Sequence, residues 1–203
     1  MLLADIPLSS EELIRYGGFT LILLVIFAET GLLVGFFLPG DYFLFLSGVF
    51  CGTGFLDLPL FLLTLGIIVA AIIGNFTGYY IGHLLGPKLF DKEDSWIFKK
   101  SYLIKTTHFY EKYGARALII GRFLPLIRTF VPVLAGAINM NLPRFSLYNV
   151  VGAVLWVGIL VPMGYYFGAK FPQIMNYVHW IIIGFTIITI WPLVSTYIKM
   201  NKK

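Results

Sequence analysis

Four ionisable residues stand inside otherwise apolar sequence: Glu29, Asp41, Arg122 and Arg128. A charge at the centre of a bilayer costs about 2.5–3.5 kcal/mol on insertion scales, and more by other estimates, so something must offset it. The two acids and the two arginines are expected to pair with one another. Their spacing requires a folded-back chain. Glu29 and Asp41 are twelve positions apart, about 18 Å along a continuous helix. Arg122 and Arg128 are six apart, which on a straight helix puts them on different faces. Breaks at Pro39-Gly40, at Pro125 and at Pro132 would let each pair approach one pocket, because proline removes a backbone hydrogen bond and kinks a helix. Guanidinium is permanently charged and matches phosphate oxygens in a forked geometry. A carboxylate removed from water can take up and release a proton. An anionic headgroup held by Arg122 and Arg128, beside Glu29 and Asp41 as proton carriers, is the chemistry these types suggest. The plainer account is that the four charges form ion pairs that only hold two hairpins together.

Other chemistries find little support. The three histidines, His83, His108 and His179, are scattered without ligand spacing, so no metal site is expected. Cys51 is the single cysteine and reads as a small packing residue. Nucleic acid is not an expected partner, because no basic run is interleaved for base stacking. No cofactor and no catalytic residue is expected.

The setting of these residues is a chain of 203 residues that is 59% hydrophobic and 12% charged, with a mean hydropathy of +0.87. Soluble domains carry about 25% charged residues, and a core of this size could not hide so much apolar surface. Lipid must be the solvent for most of it. The expected fold is an all-α polytopic membrane protein, one membrane domain over residues 1–203. Leu60 to Ile81 and Phe145 to Phe167 carry no charge and are long enough to cross. A further C-terminal span is expected over 175–198, apolar from Val178 to Ile198 and followed by Lys199, Lys202 and Lys203. Leu13 to Leu56 and Ala117 to Met140 are apolar but interrupted, and read as re-entrant hairpins or broken helices. Such backbone survives at membrane depth only where protein or a wet cavity covers it. Residues 83–116 form a polar linker whose later part reads as an amphipathic helix on the membrane surface. Seven basic residues lie between Lys88 and Arg116. With the basic tail, they place linker and C-terminus in the cytoplasm.

A shift of 86 residues superposes two halves. Gly35-Phe36-Phe37-Leu38-Pro39 falls on Gly121-Arg122-Phe123-Leu124-Pro125, and Gly78-Tyr79-Tyr80-Ile81-Gly82 on Gly164-Tyr165-Tyr166-Phe167-Gly168. The repeats run about 27–82 and 117–168, each a hairpin followed by one spanning helix. A hairpin returns to its own side and a single span does not, so the repeat is expected to be inverted. Paired interruptions in the two halves of such a repeat point to a transporter's binding site. The glycines and tyrosines of the second pentad read as close-packing and interfacial residues.

At these residues the chain resembles the DedA family, also called the SNARE-associated or VTT domain family. The likeness covers roughly 25–170 in order. It runs through Glu29-Thr-Gly-Leu, Pro39-Gly40-Asp41, Gly74-Asn75, Gly78-Tyr79 and Gly82, then Gly121-Arg122-Phe123-Leu124-Pro125, Arg128-Thr129, Pro132, Ala135-Gly136, Met140, Phe145, Asn149, Gly152-Ala153 and Trp156. The resemblance implies a lipid transporter of the bacterial cytoplasmic (inner) membrane. Members are implicated in returning undecaprenyl phosphate to the cytoplasmic leaflet, others in moving phosphatidylethanolamine. The family's essential acids match Glu29 and Asp41, and its essential arginines match Arg122 and Arg128. Asp41 stands where many members have glutamate, keeping the charge with a shorter reach.

The expected function is therefore a lipid translocase for a polyprenyl phosphate, proton-coupled through the proton motive force. A phosphatidylethanolamine flippase or phospholipid scramblase is the runner-up. A proton or cation antiporter accounts for the acids but leaves two buried arginines idle. A membrane enzyme such as a lipid pyrophosphatase lacks a general acid–base partner beside Arg122 or Arg128. Membrane lipid is the expected partner, and a homo-oligomer stays open.

Overall fold

The computed structural model describes residues 10–32, 40–85 and 100–173. Among them the protein is helical throughout, in seven α-helices: α1 Ser10–Gly31, α2 Gly40–Gly52, α3 Leu60–Leu85, α4 Lys100–Tyr113, α5 Ala117–Ile120, α6 Pro125–Ala137 and α7 Leu142–Lys170. Short 3₁₀ turns at Gly114–Arg116 and Gly121–Phe123 flank α5. Pro39, much of the polar linker and the C-terminal span expected over 175–198 lie outside the described residues.

Length separates the helices into two kinds. α3 and α7, of 26 and 29 residues, are roughly 39 and 44 Å long at the usual rise and exceed the hydrocarbon thickness of about 30 Å. Both are apolar enough to span, as their charge-free sequences predict. α2 and α6 have 13 residues each, roughly 20 Å, and are too short to cross. The outward faces of the long helices carry Phe61, Leu65, Ile73, Leu147, Leu155 and Ile159 in the open. A soluble protein does not leave so much contiguous apolar surface uncovered; hydrocarbon is the solvent that suits it.

The short helices begin and end for local reasons. Leu124 is extended, at φ −116° and ψ 106°, because the residue before a proline is pushed out of the helical region. Pro125 then opens α6 where a missing N–H costs nothing. The end of α6 is closed by Asn139 at φ 54°. Met140 N–H donates to Ala135 O at 2.9 Å and Asn139 N–H to Gly136 O at 3.0 Å, the double closure of a Schellman turn. Asn141 caps α7 by accepting from the Arg144 amide at 3.3 Å. Pro132, expected among the hairpin breaks, is not one: it lies inside α6, and the helix runs on through it. Its Cβ lies 3.4 Å from where a side chain on Gly78 would begin, so α3 packs against the turn that the proline weakens. Neighbouring helices commonly offset an intramembrane proline in this way.

Packing is crossed between the two halves: α2 lies along α7, and α6 lies along α3, with α1 also packed on α3. Glycines set these contacts. A side chain on Gly52 would strike the Tyr165 carbonyl, and one on Gly168 the Val49 carbonyl. On the other seam, Gly136 faces the Tyr79 carbonyl and Gly82 the Val133 carbonyl. In lipid the hydrophobic effect does not hold helices together, so close backbone approach and dispersion must. Gly82, Gly164 and Gly168 thus pack closely, whereas a side chain on Gly78 would make only ordinary contacts. Of the tyrosines beside them, Tyr79 is buried and donates to Met140 O at 2.6 Å, while Tyr80, Tyr165 and Tyr166 are exposed.

Gly136→Ala is expected to lower stability by about 1–3 kcal/mol through overpacking, read as an earlier thermal transition in detergent. Gly158→Ala, at a helical position with nothing near the new methyl group, should be neutral or stabilising by up to about 1 kcal/mol.

Candidate functional site

The four charges singled out by sequence all sit at or beside ends of the interrupted helices. Glu29 is in the last turn of α1, Asp41 in the first turn of α2, Arg122 in the 3₁₀ turn before α6, and Arg128 in the first turns of α6. Two of these positions oppose the local helix dipole, which favours anions at N-termini and cations at C-termini. Glu29 is at the wrong end of its own helix for a carboxylate, and Arg128 near the wrong end of its helix for a cation. Each is offset by the other halves of the site.

Arg128 is the centre. Its guanidinium forms an ion pair with Glu29 through Nη2 and another with Asp41 through Nη1, at 3.1 Å. Glu29 is fully buried and Arg128 nearly so, with the Asp41 side chain about one quarter exposed. Glu29 Oε1 also accepts from the Gly40 amide at 2.8 Å, so the carboxylate of α1 caps the N-terminus of α2. A side chain on Gly40 would overlap that carboxylate, which explains the glycine. Asp41 is fixed from the far side by Trp156, whose indole N–H donates to Oδ1 at 2.7 Å.

Arg122 is held differently. Its Nη2 donates to Asn149 Oδ1 at 2.7 Å and to the Asn149 carbonyl at 3.3 Å. Asn149 in turn accepts from Asn75 Nδ2 at 3.0 Å and donates to the Ile72 carbonyl at 3.1 Å. No carboxylate lies within ion-pair distance of Arg122 among the described residues. The expectation that both arginines pair with acids is therefore corrected: Arg128 takes both carboxylates and Arg122 takes neutral amides. The reason is positional. The turn at Leu124–Pro125 separates the two side chains, turning Arg122 toward α7 at Gly152, where an added side chain would crowd its Nε at 2.9 Å. Trp156 joins the two halves of the site, its ring centroid 5.8 Å from the Arg122 guanidinium carbon and 5.4 Å from that of Arg128. Contacts of this kind are worth more when the cation is desolvated.

Glu29 Oε2 and Arg122 Nε are among the buried polar atoms here that have no hydrogen-bond partner. A buried guanidinium without a counter-ion is costly. An anion beside Arg122 would relieve it.

Of the expected breaks, Gly40 opens α2 and Pro125 opens α6, Pro132 lies within α6, and Pro39 is outside the described residues. Sequence reasoning gave no role to Trp156, Asn149 or Asn75. The signal was there: an asparagine near the middle of a charge-free span needs a polar partner in lipid. Reading α3 and α7 as ordinary spans passed over it.

Together these features define a helical membrane protein whose buried charged site is assembled from the ends of short helices between two long ones. The VTT domain family model matches residues 38–166. Protein DedA of Escherichia coli (strain K12) is 40% identical over 195 residues, 95% of this chain and 89% of that one. An uncharacterized membrane protein of Mycobacterium leprae (strain TN) is 38% identical over 170 residues, 84% and 75% of the two chains. Inner membrane protein YqjA of Escherichia coli (strain K12) is 37% identical over 155 residues, 75% and 68%. The chain belongs to the DedA family of VTT-domain membrane proteins. No solved structure matches it.

Asn149→Leu should leave the Arg122 guanidinium without its acceptor and Asn75 without its partner. A loss of about 1–3 kcal/mol is expected from the unsatisfied buried donors, measured as a lowered thermal transition in detergent.

Proposed function

We propose that the protein moves a lipid bearing a phosphate headgroup between the leaflets of the bacterial cytoplasmic membrane, with a polyprenyl phosphate such as undecaprenyl phosphate as the first substrate. The observation that carries this reading is the inequality of the two buried arginines. Arg128 has two carboxylate partners, whereas Arg122 meets amides and an indole. A phosphate monoester would give Arg122 its counter-ion. Protons on Glu29 and Asp41 would loosen Arg128 so that it could join. Proton entry and headgroup capture are then linked by competition for one guanidinium, and the proton motive force supplies the drive without a cofactor.

Crossed packing of α2 on α7 and α6 on α3 supports an inverted repeat of hairpin plus spanning helix. Related glycine contacts recur on both seams: Gly52 with Tyr165 and Gly136 with Tyr79, Gly168 with Val49 and Gly82 with Val133. The site lies where the two halves meet, as in transporters built from such repeats. In this arrangement the lipid tail stays in hydrocarbon while the headgroup passes along the seam, and the C-terminus is cytoplasmic. We place the protein with transporters rather than enzymes, because the described groups around Arg122 (Asn149 and Trp156) suit an anion and include neither nucleophile nor proton acceptor. Phosphatidylethanolamine is a second substrate favoured by one feature: a zwitterionic head could engage the carboxylates on Arg128 together with Arg122. A cation antiporter fits less well, since both acids already face a fixed cation.

Reconstituted in liposomes, the protein should speed leaflet exchange of a labelled polyprenyl phosphate, and more so under a pH gradient. Arg122→Lys should lower that rate by about tenfold or more, because an ammonium cannot reproduce the fork; Glu29→Gln should abolish the effect of the gradient. Exchange of phosphatidylethanolamine alone would favour the second substrate. Neither lipid moving faster than in empty vesicles would remove the translocase reading.

A further inference from the structure

The position of Glu29 is not explained by its own helix. A carboxylate in the last turn of α1 meets the negative end of that helix dipole, and one of its oxygens, Oε2, is buried without a partner. What holds it is a pair of donors from two other elements: the Gly40 amide at the head of α2, at 2.8 Å, and the Arg128 guanidinium on α6. A helix N-terminus beside a guanidinium is a binding arrangement for phosphate and similar oxyanions. α2 has 13 residues, enough to present its full terminal dipole. Gly40 is the only residue type that leaves this space open, since a Cβ there would fall on the carboxylate. The second guanidinium, Arg122, borders the same indole as Arg128 and keeps a buried, unpartnered Nε.

We propose that the Gly40 amide and the Arg128 guanidinium form an oxyanion seat that the Glu29 carboxylate fills as a stand-in, and that a lipid phosphate is captured by displacing it. This inference rests on the translocase reading for the identity of its anion, and it assigns Glu29 a second task beyond carrying a proton. It makes Glu29 an internal competitor. The seat is kept filled between captures, so a buried guanidinium and a helix end are never left bare in lipid. It also ranks the contacts: Asp41 touches Arg128 from the side, on Trp156, and does not occupy the seat.

The test is equilibrium binding of radiolabelled octyl sulfate, a single-chain oxyanion of fixed charge, to the full chain in dodecyl maltoside at neutral pH. Glu29→Gln and Glu29→Ala should both bind it more tightly than the parent, by roughly tenfold if Glu29 fills the seat about nine-tenths of the time. Asp41→Asn removes the same charge from the same arginine but should give a distinctly smaller gain. The parent supplies a second reading that needs no substitution: an infrared difference spectrum on binding should show a carboxylate band shifting as Glu29 leaves its donors. Unchanged or weaker binding in the Glu29 variants, an equal gain in Asp41→Asn, no binding by any of the proteins, or a spectrum without a carboxylate change would each overturn the seat. Lipid exchange in vesicles is measured separately, so exchange that persists alongside any of these results would leave the translocase standing and discard only the stand-in.

Discussion

A guanidinium that cannot give up its proton, placed where water is scarce, has to be surrounded by compensating groups, and most of the local architecture around Arg128 follows from that demand. Its partners come from the end of α1 and the start of α2: Glu29 from α1 and Asp41 from α2. Twelve positions separate these acids in the chain, so no single straight helix could bring both to one guanidinium. Arg128 reaches them from the first turns of α6, so three helix ends meet at this pairing. Trp156 on α7 completes the enclosure by holding Asp41. Two ion pairs on one guanidinium, with the indole hydrogen bond, thus tie four helices from both halves of the chain into a single site, while glycines allow the backbones to come near enough for it to form.

Arg122 shows what the same constraint does when it is only partly met. Amides can accept hydrogen bonds from a guanidinium but cannot neutralise it, and the pair of asparagines that supports it joins α3 to α7 in the process. The site therefore holds one cation with two carboxylate partners and one with none among the described residues, both beside the same indole. In the proposed translocase that asymmetry would let a negatively charged headgroup settle at Arg122 while Arg128 is released from its carboxylates.

Much of this was legible from residue types. Charge-free runs located α3 and α7, because a span of hydrocarbon needs little else. Glu29, Asp41, Arg122 and Arg128 stood out because charges are expensive in apolar surroundings, and the prolines marked where backbone could bend. What sequence could not separate was which charge meets which: pairing depends on the direction in which the Leu124–Pro125 turn aims two side chains, and spacing alone does not record it. Pro132 was misread for a related reason. Proline weakens a helix wherever it falls, but packing of α3 against that turn decides whether the helix ends. Trp156, Asn149 and Asn75 were hidden by the same apolar context that revealed the charges, since a single amide or indole hardly alters the hydropathy of a span. Membership of the DedA family fits all of these features, and the pairing adds a physical reason for the acids and arginines to be read as one unit.

The most direct test of that unit is a double-mutant cycle on Glu29 and Arg128, using Glu29→Gln, Arg128→Gln and the double variant, with unfolding free energies measured in detergent. The ion pair predicts a coupling energy of at least about 1 kcal/mol, within the range for residues in direct contact. The double variant should then be less destabilised than the sum of the singles, because Glu29 is neutralised together with the cation that offsets it. Additive effects within about 0.5 kcal/mol would mean that Glu29 and Arg128 do not meet, and the site built around them would have to be abandoned.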